Sequence, residues 1–401
     1  MARQRSPQRD PAADAAALLR RLGFAILMIG LPIAALVARR GVVVMAPVGI
    51  ALLVIAALID GEHRRVSHAV QSLAGRLAGI AGIVVLGWAL LSLAWAPFAA
   101  PAAERLGNLA ATLAVGVAGY LALPVRMRSA NLYPLAIGVG AAALLAIGLL
   151  AIEDRPAWDE ETITRDRGVV ALALLVWPAA AWLHSRGRDL QSVAIVMAVA
   201  VATGLAPTPL AFAGFATGAA VYLVAASRLV LAARIVAYGG AGLVLAAPLL
   251  ALALASLDPA LATWREMIAS VPVRLVTGYG FETALRGPSV GLVPAGGPET
   301  TLFEIWVDLG LVGAAALAVA VWSAALGASR VDAAVAPGAL AAVAAGLALV
   351  VTGASYTEMW FVTSAVVAAL LFAAVERGQF RTQRPKAILS AILRRGRRAE
   401  R

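Results

Sequence analysis

The chain has 401 residues, 62% of them hydrophobic and only 14% charged, with a mean hydropathy of +0.88. A soluble domain carries about 25% charged residues, so this composition excludes one. The net charge of +11 is concentrated at the termini, with five basic residues in 1–21 and nine in 377–401; beside apolar segments such clusters face a membrane surface and argue against nucleic acid, and the absence of cysteine excludes disulfides and thiolate metal sites.

Apolar runs of about 17–25 residues recur along the whole length, which is the pattern of transmembrane helices. Strand-type alternation is absent, which argues against a membrane barrel. The first apolar run lacks a small-residue cleavage site and is read as a retained helix and not a signal peptide. The expected spans are 22–38, 41–59, 76–97, 106–124, 131–152, 168–184, 190–205, 209–227, 232–255, 301–326, 336–353 and 356–375. The "GLAPTP" stretch between the seventh and eighth is short enough to be a kink in one long helix.

An even number of spans puts both termini on one side, and their basic residues make that side cytoplasmic. Short cytoplasmic loops then carry ten arginines (Arg64, Arg126, Arg186 and Arg330 among them), against Arg39, Arg40 and Arg105 on the external side. Two longer stretches fall outside, 153–167 and 256–300. The expected fold is therefore an all-α polytopic membrane protein of about twelve transmembrane helices with one large external loop containing a short amphipathic helix. Its segments are a basic cytoplasmic terminus (1–21), helices one to nine (22–255), the loop (256–300), helices ten to twelve (301–376) and a basic cytoplasmic tail (377–401). His63, His68 and His184 all fall on the cytoplasmic side, away from the loop.

Within the loop, Asp258 and Pro259 are a cap and a first-turn proline. Leu261, Trp264, Ile268 and Val271 then share one helical face, predicting an amphipathic helix along the membrane surface with Trp264 at headgroup level. "TGYG" turns the chain. Thr300 or Thr301 is expected to cap the tenth span, in which Glu304 and Asp308 lie four residues apart on one face. Carboxylates there are costly toward lipid, so a wet or basic cavity is expected in front of them. The external arginines Arg155, Arg165, Arg167, Arg265, Arg274 and Arg286 would suit the phosphates of a lipid-linked pyrophosphate. They would equally suit a solvated salt-bridge surface with Asp154, Asp159, Glu160, Glu161 and Asp166.

The segments "VTGYGFETALR" and "GGPETTLFEIWVDLGLVGAAAL", with "ATWREMIASVPVRL" before them and "ITRDRGVVALALLVWP" earlier, resemble the signature region of the O-antigen ligase and polymerase superfamily. The resemblance spans roughly Arg165 to Gly313. It implies a bacterial inner-membrane protein whose loop is periplasmic. The implied activity is transfer of a glycan from undecaprenyl pyrophosphate to an acceptor glycolipid, lipid A-core or a growing polysaccharide, with no cofactor or metal. By position Arg265 would act in catalysis, and Arg165, Arg167 and Arg286 would bind pyrophosphate. Glu304 and Asp308 would shape the cavity. Ligases carry a histidine where this chain has Pro298, Glu299 and Thr300, which leaves Glu299 as the general base. The competing readings are a transporter or permease, which twelve spans also suit, and a non-catalytic glycan-lipid binder.

Overall fold

The computed structural model describes residues 11–61, 77–125, 127, 129–152 and 159–379, and every regular element among them is helical. Eleven helices form the bundle: α1 (Pro11–Val37), α2 (Gly41–Ile59), α3 (Leu77–Ser92), α4 (Ala99–Ala122), α5 (Tyr133–Ile152), α6 (Glu160–Ser185), α7 (Asp189–Leu205), α8 (Pro209–Leu254), α10 (Thr301–Ala328), α11 (Ala336–Thr352) and α12 (Met359–Arg377). The short α9 (Pro259–Ser270) lies between α8 and α10. Seven of these helices, α1, α2, α5, α6, α8, α10 and α12, are long and apolar enough to cross a membrane; α3, α7 and α11 are apolar but shorter. The protein is thus a multi-pass helical membrane protein by length and composition.

Each expected span coincides with helix, with one difference. The "GLAPTP" stretch does separate α7 from α8, with Thr208 in extended conformation and Pro209 in the first turn. The eighth and ninth spans, by contrast, run on as a single assigned helix of 46 residues. At 1.5 Å per residue a straight rod of that length would be about 69 Å, twice the bilayer core. Both of its ends, however, lie at one end of the bundle. Thr208 donates to Asp166 at the start of α6 (2.7 Å). Leu254 leads to α9, whose Trp264 packs edge-on against Phe303 at the start of α10. The chain therefore turns back where Arg228 leaves helical geometry (φ −139°, ψ 64°).

Polar ties group the connections into two sets. One end gathers Arg39 with Glu160, Arg105 with the Thr357 carbonyl, and Arg167 with Glu358. The opposite end gathers Arg20 with Asp60, Arg186 with the Gly378 carbonyl, and Arg377 with the Leu123 carbonyl. These are the groupings that the alternation of spans demands. We call the first set the loop end.

Helix α6 is the central post. It is apolar all round from Gly168 to Leu183, and that whole run is buried against α1, α5, α7, α8, α11 and α12. With no hydrophobic drive between helices in lipid, close contact depends on small residues. The Trp177 ring of α6 stacks on Phe215 and Tyr222 of α8 and fills the space where a Cβ on Gly218 would come within 2.6 Å of it. Pro248 leaves the Val244 carbonyl without its usual helical donor, and the Trp306 indole of α10 supplies one at 2.9 Å.

Gly218→Ala should lower the melting temperature in detergent by a few degrees, an overpacking cost of about 1–3 kcal/mol. Gly148→Ala, at a helical site with open space beside it, should hold or raise it by up to about 1 kcal/mol. Differential scanning fluorimetry of the two variants checks the packing.

Candidate functional site

The site begins with a broken helix. Inside α10, Gly310 takes φ 60° and ψ −151°, far from helical. The break separates a nine-residue segment, 301–309, from a membrane-length limb, 311–328, of about 27 Å. The carbonyls before the break lose their helical donors and must find others. The "TGYG" turn supplies two: the Tyr279 amide donates to the Val307 carbonyl (2.7 Å) and the Gly280 amide to the Asp308 carbonyl (3.1 Å). The indole of Trp88 on α3 supplies the third, to the Leu309 carbonyl (2.9 Å). Only glycine permits this approach. A Cβ on Gly278 would stand 2.2 Å from the Asp308 carbonyl oxygen, and one on Gly310 would stand 2.6 Å from the Gly278 nitrogen. Both residues also have positive φ.

The Asp308 side chain completes the attachment. It is fully buried and accepts from the amides of Glu282 (2.8 Å) and Ala284 (2.7 Å) and from the Tyr356 hydroxyl. Phe281 is buried beside the Tyr356 ring, and its amide donates to Ser92 of α3 (3.2 Å). Asp308 was expected to border a cavity with Glu304. It fastens the loop instead, because Gly310 and the turn cover its face of α10.

Glu304 does reach a cavity. Its carboxylate accepts from Ser355 Oγ (2.5 Å) and the Tyr356 amide (3.2 Å). A space of about 560 Å³ lies in front of it, walled by loop residues from Ala284 to Glu299 and by Phe303, Gly353, Ser355, Thr357 and Glu358. Glu299 is exposed at the rim, after which Thr300 caps α10 by accepting from the Phe303 amide (3.2 Å). Arg167 of α6 reaches the same cavity through Glu358 (2.7 Å) and lies over the Trp360 ring.

The remaining predicted residues stand apart. Arg165 is buried in a second space of about 380 Å³, with Arg39 and Glu160. Arg165 also pairs with Glu161 one turn earlier (3.0 Å). Arg265 is exposed on α9 and is not part of the cavity wall. Arg286 is half exposed beside Glu282. The amphipathic helix forms as expected, with the Asp258 side chain accepting from the Ala260 amide (2.7 Å). Its Trp264, expected at headgroup level, is instead buried against Phe303, because α9 lays its apolar face on α8 and α10. His184 pairs with Asp189 (2.6 Å), while His63, His68, Arg155 and Asp154 lie outside the described residues.

Sequence reasoning missed Glu282, Arg105, Ser355 and Tyr356 as site residues. A signal existed for two of them: "SYTE" is a polar run set between apolar helices. For Arg105 and Glu282 nothing in the spacing shows that α4 meets the loop.

Asp308→Asn keeps the shape but turns one acceptor oxygen into a donor facing an amide or hydroxyl. It should cost about 3 kcal/mol or more and expose residues 278–300 to limited proteolysis; Tyr356→Phe should cost about 1–3 kcal/mol. Thermal unfolding and cleavage mapping of the two variants read this directly. No protein-family model matches the chain, and no curated protein matches it significantly.

Proposed function

We propose that the chain is a membrane glycosyltransferase of the O-antigen ligase and polymerase type, which moves a glycan from undecaprenyl pyrophosphate to an acceptor glycolipid. In this reading it crosses a bacterial inner membrane twelve times, with both termini cytoplasmic and the loop end periplasmic. The fold-back at Arg228 supports counting α8 as two crossings. The arginine excess in loops opposite the loop end supports the orientation.

The observation that carries the reading is the cavity of about 560 Å³ beneath a loop fastened to α10, with a free carboxylate at its rim. Glu299 takes the proton from an acceptor hydroxyl, and that oxygen attacks the anomeric carbon. The bond from that carbon to the pyrophosphate breaks, and the pyrophosphate leaves with the electron pair. Stabilising this developing negative charge is the main electrostatic task. Of the cations expected to do this, Arg167 reaches the cavity through Glu358, whereas Arg265, Arg286 and Arg165 are not in its wall. Glu304, fixed by Ser355, keeps the cavity open to a hydroxyl-rich substrate.

One observation favours a transporter: helices interrupted in mid-course line substrate sites in many transporter folds. Here the carbonyls freed at Gly310 are already taken by Tyr279, Gly280 and Trp88, which leaves none of those three for an ion.

In a reconstituted assay with lipid-linked glycan, Glu299→Gln should lower transfer by about 100-fold or more, while the variant accumulates in the membrane. In a deletion strain the surface profile should lose its long chains if the chain is a ligase, or show single repeat units if it is a polymerase. An unchanged profile, with uptake of a substrate into vesicles, rejects the transferase in favour of transport.

A further inference from the structure

Glu282 is the most unusual residue of the loop. It is fully buried, and its backbone is left-handed (φ 70°, ψ 8°), the only non-glycine residue with positive φ among those described. Neither carboxylate oxygen accepts a hydrogen bond from the described residues. Its neighbours are two guanidinium groups at ion-pair distance, Arg105 Nε at 3.4 Å and Arg286 Nε at 3.3 Å. Arg105 comes from α4, while Arg286 follows Glu282 by four residues in the loop, so two distant parts of the chain meet here. A buried carboxylate with no hydrogen bond is a poor device for stability. Holding a non-glycine residue in the left-handed region adds a further cost, of the kind that collects at functional sites.

The geometry does achieve one thing. Glu282 engages both arginines by their Nε edges and so fixes how the two planar groups stand. Arg105 spends one Nη on the Thr357 carbonyl. Its remaining Nη and both Nη groups of Arg286 make no other described hydrogen bond, and the two side chains keep 28% and 43% of their surface exposed. The two partly exposed guanidinium groups are thereby prearranged as two forks. A guanidinium fork matches a phosphate by paired hydrogen bonds. The position is at the loop end, on the flank where α4 borders the bundle. Thr357, Ala284 and Leu285 connect it to the cavity wall.

We propose that Arg105 and Arg286, held by Glu282, form a seat for the phosphate of a lipid headgroup. The seat is separate from the cavity, whose charged lining residues are the carboxylates Glu299, Glu304 and Glu358. A phosphate at the seat would place whatever it carries within reach of the shared wall. The headgroup belongs either to a bulk anionic phospholipid or to a polyprenyl pyrophosphate.

The test uses the full chain in nanodiscs of phosphatidylcholine, with inorganic pyrophosphate as probe and isothermal titration as readout. Arg286→Gln and Arg105→Gln should each weaken binding about 10-fold or more, while Arg330→Gln, which removes the same charge at the opposite end, should change nothing. Arg286 is exposed, so that variant decides the matter if Arg105→Gln does not fold. Nanodiscs with phosphatidylglycerol, or with a few per cent undecaprenyl pyrophosphate, then identify the source by which lipid displaces the probe. Binding that both arginine variants keep, or that Arg330→Gln loses equally, overturns the seat. Weakened binding together with an unchanged surface-glycan profile in the deletion strain leaves the seat standing and removes the transferase.

Discussion

The loop end depends on the interruption of α10. A helix that stops at Gly310 has carbonyls to satisfy, and inside a bundle water does not reach them. The "TGYG" turn answers with the amides of Tyr279 and Gly280, and it fits because Gly278 and Gly310 stand where the two backbones come closest. Asp308 adds a second attachment by side chain, taking two amides and a phenol. The loop from Gly278 to Ala284 is therefore threaded between α3 and α10 as part of the core. It is not a flap over the bundle.

That attachment fixes the electrostatics around it. Once Asp308 holds the Glu282 amide, the Glu282 side chain is carried into the interior, and it reaches its balance through Arg105 and Arg286. Glu304 one turn earlier is turned instead toward Ser355 and the open space. Two carboxylates four residues apart on one helix thus do different work. One is consumed by backbone, and the other is left at a cavity.

Much of the fold was legible because lipid imposes a simple rule: a crossing segment must be apolar and helical. The positions of the helices and the capping by Asp258 followed from local pattern, which left the cap of α10 between Thr300 and Thr301 and "GLAPTP" between a break and a kink. The amphipathic face of α9 was legible too, but its partner was not. Trp264 has the same spacing whether it meets headgroups or Phe303. For the site, Glu304 was found by its place within a helix start and Glu299 through the resemblance, and both border the cavity. Arg265 and Arg165 were chosen for charge and resemblance, and charge alone does not say which space a side chain reaches.

By itself the sequence determined that this is a helical membrane protein with a polar, glycine-rich segment before its tenth expected span. Hydropathy, arginine placement and glycine spacing are local quantities, and they survive any arrangement of the helices. Only the tertiary structure decided that α8 doubles back at Arg228, that α10 breaks at Gly310, and that Arg105 meets Glu282 across 177 positions of sequence. Each of these is a choice of partner for a backbone group or a charge, and such choices are settled by packing between distant helices.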